Sequence, residues 1–133
     1  MARIYHQDNT VPDAGEMVVW VFGSNLAGSH GGGAARVASD RFCAVHGVGR
    51  GRTGRAYALP TNDKYGDRLD LEQIHANVDT FLAYARHCPD EHFWVTRVGC
   101  GIAGNRDQDI APLFANAPAN CSLPDTWKNL LGD

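Results

Sequence analysis

Two largely apolar segments, each followed at once by a glycine-rich segment, constrain the fold of this chain most strongly. Residues 17–22 run into glycine-rich residues 23–33, and residues 93–98 run into a second glycine-rich segment, residues 99–105. Such an apolar run is typical of a strand covered on both faces, as in a parallel sheet between helices. Because strands and helical patterns alternate along the chain, the sequence predicts an α/β domain with a mixed, largely parallel sheet and helices on both faces.

Apolar residues at helical spacing predict two longer helices. The first is expected over residues 34–45, with Gly47 as its stop signal. The second begins after Asp70, which forms a capping-box pattern with Gln73, and it ends before Pro89. Its apolar residues fall on one stripe, which must pack against the sheet.

The remaining elements are predicted to be short or irregular. In chain order they are an irregular lead-in or short edge strand (residues 1–16), a loop (47–55), a short strand (56–59), a short helix near Asp109, a strand (121–123) and a helix that starts at Pro124. Trp127 and Leu130 on this last helix either pack on the sheet or stay exposed and support a dimer.

Composition narrows the class of protein. The chain has 133 residues, with 12 Lys and Arg against 15 Asp and Glu, so we expect one domain over residues 1–133 that does not coat nucleic acid nonspecifically. Its four cysteines are too far apart for a zinc-binding pair, and Cys43, Cys88 and Cys121 are expected in or near the core. With no signal sequence and no apolar run long enough to cross a bilayer, we expect a cytoplasmic protein that does not bind membranes.

The two glycine-rich segments predict a ligand site. In parallel sheets ligands bind outside the carboxyl ends of the strands, and glycines there let backbone amides approach a phosphate. Neither segment has the Gly-Lys-Ser/Thr ending of a P-loop, and the GxGxxG letters of residues 49–54 neither follow a convincing strand nor open a helix. The prediction is therefore a crevice for a phosphate-bearing ligand that is held by amides.

Residues in both segments resemble one known family. Asn25 and Leu26 followed by the glycines of residues 31–33, together with residues 98–104 after the second apolar run, resemble the macrodomain, the ADP-ribose-binding family, in its compact bacterial or phage-type variant. The resemblance spans about residues 18–131. It implies an α/β/α sandwich, with ADP-ribose or a related nucleotide diphosphate in the crevice and neither metal nor cofactor.

The resemblance also implies roles for individual residues. Asn25 matches the asparagine that binds the distal ribose, residues 31–33 flank that ribose, and residues 99–105 wrap the diphosphate, with Cys100 as a small spacer. The residues expected to bind the ligand are Asn25, Leu26, Gly31, Gly32, Gly33, Gly99, Cys100, Gly101, Ile102, Ala103, Gly104 and Asn105. The family's adenine-binding aspartate motif is absent, which leaves Asp8 or Asp13 as substitutes.

Three functions stay open at this stage. The chain binds ADP-ribose, or it hydrolyses a derivative such as ADP-ribose 1''-phosphate, O-acyl-ADP-ribose or an ADP-ribosylated macromolecule. The candidates for catalysis are Asn25, His30, Asp63 and Asp107, although His30 is expected to be an exposed loop residue. In the third case, Arg50, Arg52 and Arg55 with Tyr57 hold single-stranded nucleic acid by stacking on its bases.

Overall fold

A computed structural model describes residues 3–13, 16–101 and 103–133, and within these ranges six strands form one sheet. The strands are β1 (Ile4–His6), β2 (Val18–Asn25), β3 (Gly51–Thr53), β4 (Ala56–Asn62), β5 (His92–Val95) and β6 (Cys121–Pro124). Their order across the sheet is β1-β6-β5-β2-β4-β3. Strand β3 pairs antiparallel with β4, and the other neighbouring pairs are parallel. The prediction of a largely parallel sheet is therefore confirmed.

The helices are α1 (Gly33–Arg41), α2 (Leu71–His87) and α3 (Asp107–Ile110), and short 3-10 helices follow at Ala111–Phe114, Asp125–Trp127 and Asn129–Leu131. The predicted capping box of α2 is confirmed, since the Asp70 side chain accepts a hydrogen bond from the Gln73 amide and the Gln73 side chain accepts one from the Asp70 amide. This arrangement satisfies two amides that the first helical turn leaves without partners. Across the described residues, no helix is both long and apolar enough to span a membrane.

Helices cover both faces of the sheet. On one face, α2 contributes a buried stripe that packs against residues of β2, β4 and β5; the stripe consists of Ile74, Val78, Phe81, Leu82 and Ala85. On the other face, Ala38 of α1 and Phe42 pack against β2 and β4. Alternate residues of β2 belong to these two cores, as expected for a strand with both faces buried. The arrangement is compatible with a three-layer α/β/α sandwich.

Three predictions between residues 34 and 55 are wrong, one of them the placing of Cys43 in or near the core, since Cys43 is exposed. Helix α1 ends at Arg41 instead of continuing to Val45, because Cys43 adopts a left-handed backbone (φ 61°) that breaks the helix. Phe42 then stacks on Trp20 with ring centroids 5.1 Å apart, whereas Val45 and Cys43 are exposed. Residues 47–55 are not simply a loop, since β3 within them forms a hairpin with β4.

The end of the chain also differs from its prediction. Pro124 is the last residue of β6, and 3-10 turns replace the expected final helix. Trp127 is fully buried, with its ring 5.0 Å from that of Phe114, so it packs on the core and cannot support a dimer. Leu130 remains exposed. Strand β1 confirms the edge-strand alternative for the lead-in, because it pairs with β6 alone in the described sheet.

Candidate functional site

The carboxyl ends of the central strands open into a crevice of about 740 Å³. This volume lies within the range of small-molecule sites. At or after the strand ends, its walls are formed by Asp8, Asn9, Thr10 and Val11 (β1), Gly23, Ser24, Asn25, Ser29, Gly31, Gly32 and Gly33 (β2), Thr61, Asn62 and Gly66 (β4), and Thr96, Arg97, Val98, Gly99, Gly101 and Ala103 (β5). Both glycine-rich segments thus line one cavity.

The first glycine-rich segment leads into an uncapped helix N-terminus. Gly32 is the N-cap of α1 and has no side chain that could bond to the amides of the first turn, which also contains no acidic residue. Gly32, Gly33 and Ala34 line the crevice. Because the first amides of a helix have no backbone partner and carry a partial positive charge, this end of α1 favours a bound anion.

Asn25 shapes the same segment. Its Oδ1 accepts a hydrogen bond from the Ser29 amide, and its Nδ2 donates one to the Ser29 carbonyl oxygen, both at 3.1 Å. A side-chain amide has two donor hydrogens and two acceptor positions, so one of each remains for a ligand. Asn25 can therefore hold the loop and still form hydrogen bonds to a ligand.

Asn105 closes the second glycine-rich segment on itself. Its backbone amide and its Nδ2 both donate to the Gly99 carbonyl oxygen, at 2.9 and 2.8 Å. Gly99 has φ 73°, and a Cβ added to it would come within 3.2 Å of Thr61 and 3.1 Å of the Asn105 side chain, so the turn requires glycine there. Asn105 thus stabilises the loop without lining the crevice, whereas Gly99, Gly101 and Ala103 line it.

An ion pair fixes the base of the second segment. Arg97 donates from Nε to Asp107 Oδ1 at 3.0 Å and from Nη2 to Asp107 Oδ2 at 2.6 Å, and Trp127 Nε1 donates to the same Oδ1 at 2.8 Å. The hydrogen bonds from Arg97 are the largest cause that holds the pKa of Asp107 below its usual value. Burial raises the pKa of the Cys100 thiol to about 12, so Cys100 stays protonated near neutral pH and is a poor nucleophile.

Asp8 is the acidic residue on the crevice wall. Its carboxylate Oδ2 lies 3.6 Å from Arg97 Nη1, and its backbone amide donates to Asp125 Oδ1 at 3.0 Å. Asp13, the other substitute considered for adenine, is exposed and does not line the crevice. Among the described lining residues, Asp8 and Arg97 are the charged ones.

The structure brings together part of the predicted ligand-binding set. Asn25, Gly31, Gly32, Gly33, Gly99, Gly101 and Ala103 line the crevice, whereas Leu26, Cys100, Gly104 and Asn105 do not. Ile102 lies outside the described residues. The ligand-binding roles of these residues stay predictions.

The other candidates for catalysis lie off the crevice wall. His30 is buried rather than exposed, contrary to expectation; its ring meets the edge of Phe22, its Nδ1 is 3.0 Å from Ser39 Oγ, and burial lowers its pKa. Asp63 Oδ1 accepts from the amides of Tyr65 and Asp67, so it stabilises the turn after β4. Asp107 is engaged with Arg97 as described.

Several lining residues were missed by sequence reasoning. Asn9, Thr10, Thr61, Thr96 and Arg97 all lie at or beyond the carboxyl end of a parallel strand. The rule that ligands bind at these ends, applied to β1 and β4, would have found Asn9, Thr10 and Thr61. It would not have found Thr96 and Arg97, because the sequence predicts them to lie within a strand.

The arginine side chains of the hairpin have partners within the protein. Arg52 forms a bidentate pair with Glu91 at 2.7 and 3.0 Å, and Arg50 donates to Asn77 Oδ1 at 2.9 Å. Arg55 lies over the Phe42 ring, 5.6 Å from its centroid. Tyr57 is buried and cannot stack on a base.

Comparisons with protein-family models, with curated proteins and with solved structures found no match for this chain. Within the ranges that the structure describes, no group of three or more His, Cys, Asp or Glu side chains is placed to hold a metal ion.

Proposed function

We propose that the protein binds ADP-ribose, or a closely related nucleotide diphosphate, in the crevice. The observation that carries the proposal is the order of the strands beneath it. Strand β5, whose loop is the second glycine-rich segment, lies between β2 and the β6–β1 edge of the sheet. Asn25 at the end of β2 and Asp8 after β1 therefore flank the β5 loop on opposite sides.

This order matches the order of groups in the ligand. The distal ribose would meet Asn25 and the glycines before α1, the diphosphate would meet the β5 loop, and the base would meet Asp8. Backbone amides and the uncapped end of α1 would accommodate the negative charge of the diphosphate. A protein with net charge -3 can bind a dianionic ligand in this way.

Calorimetric titration tests the proposal. We expect saturable 1:1 binding of ADP-ribose, with ADP, AMP and NAD binding more weakly. At about 100 times its dissociation constant, such a ligand adds about 2.7 kcal/mol to the free energy of unfolding, so a thermal shift must accompany the heat. If ADP-ribose at high concentration produces no heat of binding and no thermal stabilisation, the assignment is wrong.

A variant that fills the crevice locates the binding site. Gly101 lines the crevice, and a Cβ added to it meets nothing within 4 Å, so Gly101→Leu places a side chain in the ligand's space without a clash in the free protein. We expect at least a tenfold loss of ADP-ribose affinity with an unchanged Tm. Ala83→Leu, on the exposed side of α2, is the matched control and leaves binding intact. Equal affinity of both variants would place the ligand elsewhere.

Product analysis of the same samples separates binding from hydrolysis. We expect ADP-ribose 1''-phosphate and O-acyl-ADP-ribose to be recovered unchanged, because His30, Asp63 and Asp107 lie off the crevice wall. Steady release of ADP-ribose that is lost in Asn25→Ala would instead establish the hydrolase alternative.

A further inference from the structure

The first glycine-rich segment has few hydrogen bonds of its own. The Asn25 side chain bonds to both the amide and the carbonyl oxygen of Ser29, but the amides of residues 30–33 donate to no acceptor among the residues that the structure describes. Free amides suit the proposed ligand, which needs donors. They also leave three consecutive glycines, the residue type with the most backbone freedom, without an amide hydrogen bond that fixes them.

His30 anchors the middle of this segment to the core. Its neighbours in the sequence, Ser29 and Gly31, line the crevice, whereas the His30 ring turns inward and is 5% exposed. The ring meets that of Phe22 edge-on with centroids 5.3 Å apart, and its Nδ1 lies 3.0 Å from Ser39 Oγ on α1. The His30 side chain therefore ties the segment to both β2 and α1, the two elements that the segment connects.

The surroundings of the His30 ring favour its neutral form. The Nε2 atom is buried and forms no hydrogen bond to any residue that the structure describes. A neutral imidazole needs only one N–H donor, which can bond to Ser39, whereas a protonated ring has an N–H on both nitrogens. The second N–H would then lack an acceptor inside the protein, which is costly. Burial accordingly lowers the pKa of His30.

No charged neighbour compensates a proton on His30. The His46 ring lies 5.7 Å away between centroids and lowers the pKa of His30 further, and the Val48 backbone raises this pKa by less than burial lowers it. On α1, Arg36 and Asp40 are exposed and pair with each other at 3.5 Å. Within the described ranges, no carboxylate forms an ion pair with His30. Acidification therefore charges a buried ring that has no counterion.

We propose that His30 is a positioning residue for ligand binding, whose neutral ring, packed between β2 and α1, holds residues 31–33 on the crevice wall. This inference rests on the proposed function. The ring does not line the crevice, so it acts through the backbone of the segment. When the ring is removed or leaves its site, the glycines sample other conformations. Affinity then falls in proportion to the fraction of molecules whose segment keeps the binding conformation.

Titrations of ADP-ribose against variants measure this effect. His30→Ala should lose about tenfold or more of the affinity, as when about a tenth of the molecules keep the binding conformation. His30→Phe, which keeps an aromatic ring against Phe22, should recover most of this loss. Val78→Ala is the matched control, because it also removes buried apolar atoms but lies on α2 at the opposite face of the sheet. Its affinity should be unchanged at a temperature at which every variant is folded. An equal loss in Val78→Ala would overturn the inference, because general destabilisation would then explain both.

The pH profile of binding tests the neutral ring. The diphosphate of ADP-ribose stays ionised between pH 5 and pH 7.5, so the ligand does not mask a change in the protein. Below the ordinary histidine pKa of 6.5, affinity for ADP-ribose should fall progressively as His30 takes up a proton. His30→Phe should lose this dependence, whereas His46→Gln should keep it. Tighter binding on acidification would overturn the inference, since a charged His30 would then attract the diphosphate.

Backbone order parameters of the free protein separate this inference from the proposed function. For residues 31–33 we expect values of about 0.85 in the native protein and below about 0.6 in His30→Ala. If the native protein does not bind ADP-ribose, the proposed function is wrong, and the order parameters alone decide whether His30 holds the segment. If ADP-ribose binds but His30→Ala changes neither the affinity nor the order parameters, the inference is wrong and the proposed function stands.

Discussion

A close approach between two backbone segments makes Gly28 indispensable to the first glycine-rich segment. A Cβ added to Gly28 would lie 2.2 Å from the Gly47 carbonyl carbon and 2.5 Å from the Val48 nitrogen, and both of these are backbone atoms. The Gly47 amide donates to the Gly28 carbonyl oxygen at 2.9 Å, which holds the two segments together. We predict that Gly28→Ala destabilises the protein because the two segments must separate.

Gly47 provides a matched control. Both glycines have a positive φ, 73° for Gly28 and 93° for Gly47, but a Cβ on Gly47 meets nothing within 4 Å. The left-handed conformation costs an alanine about 1 kcal/mol at either position, and the lower entropy of the unfolded chain offsets about 0.5 kcal/mol of it. The clash at Gly28 adds about 1–3 kcal/mol, as overpacking does elsewhere. The expected difference between the variants is therefore about 1–3 kcal/mol.

Urea unfolding followed by tryptophan fluorescence measures this difference. Gly47→Ala should lose less than about 1 kcal/mol, and Gly28→Ala should lose about 1.5–3.5 kcal/mol with a similar urea dependence. Gly28→Ala should also weaken ADP-ribose binding, because Asn25 and Ser29 lie on the displaced segment. Equal destabilisation by the two variants would refute the reasoning, since only backbone strain would then matter.

The structure also predicts how a change of pH and a substitution at Ser24 alter the free energy of unfolding. The His6 ring stacks on that of Trp94 with centroids 4.0 Å apart, and burial lowers the pKa of His6 from 6.5 to about 4. Between these two pH values His6 is protonated in the unfolded chain but not in the folded protein, so the free energy of unfolding falls as the pH is lowered. Between pH 7 and pH 5 the free energy of unfolding should fall by about 1–2 kcal/mol more in the native protein than in His6→Phe, and parallel pH profiles of the two would contradict this. Ser24 Oγ donates to the buried Gly49 carbonyl oxygen at 2.5 Å, so Ser24→Ala should cost about 1–3 kcal/mol in urea unfolding, whereas the exposed Ser29→Ala should cost little.

The larger elements were predicted from sequence patterns that extend over the whole element or mark its end. The apolar run of β2, the apolar stripe of α2 and the capping box of α2 each indicate one local structure, and the structure confirms all three. The end of α1 was missed because Phe42 continues the helical period while packing on Trp20 from outside the helix. Strand β3 was missed because its three residues carry no periodic signal and owe their pairing to β4.

For the candidate site, glycines and position after a strand predicted much of the wall. Contacts between residues that are far apart in the chain could not be predicted from the sequence. Trp127 is buried because Phe114 and Asp107 surround it, and neither relation has a signature in sequence spacing. Arg97 lies three residues before Cys100 in a segment that was interpreted as a strand, so its place on the wall became visible only in three dimensions.

The pairing of β1 with β6 has a consequence for when the crevice becomes complete. His6 and Ser122, whose side chains meet across this pair at 2.7 Å, are 116 positions apart in sequence. During synthesis, Asp8 is made before β6, so β1 gains its neighbour on the sheet only after Cys121–Pro124 have been made. A nascent chain that already carries Asn25 and the helix after it would lack the wall of the crevice that follows β1, so the crevice is complete only after β6 has joined the sheet.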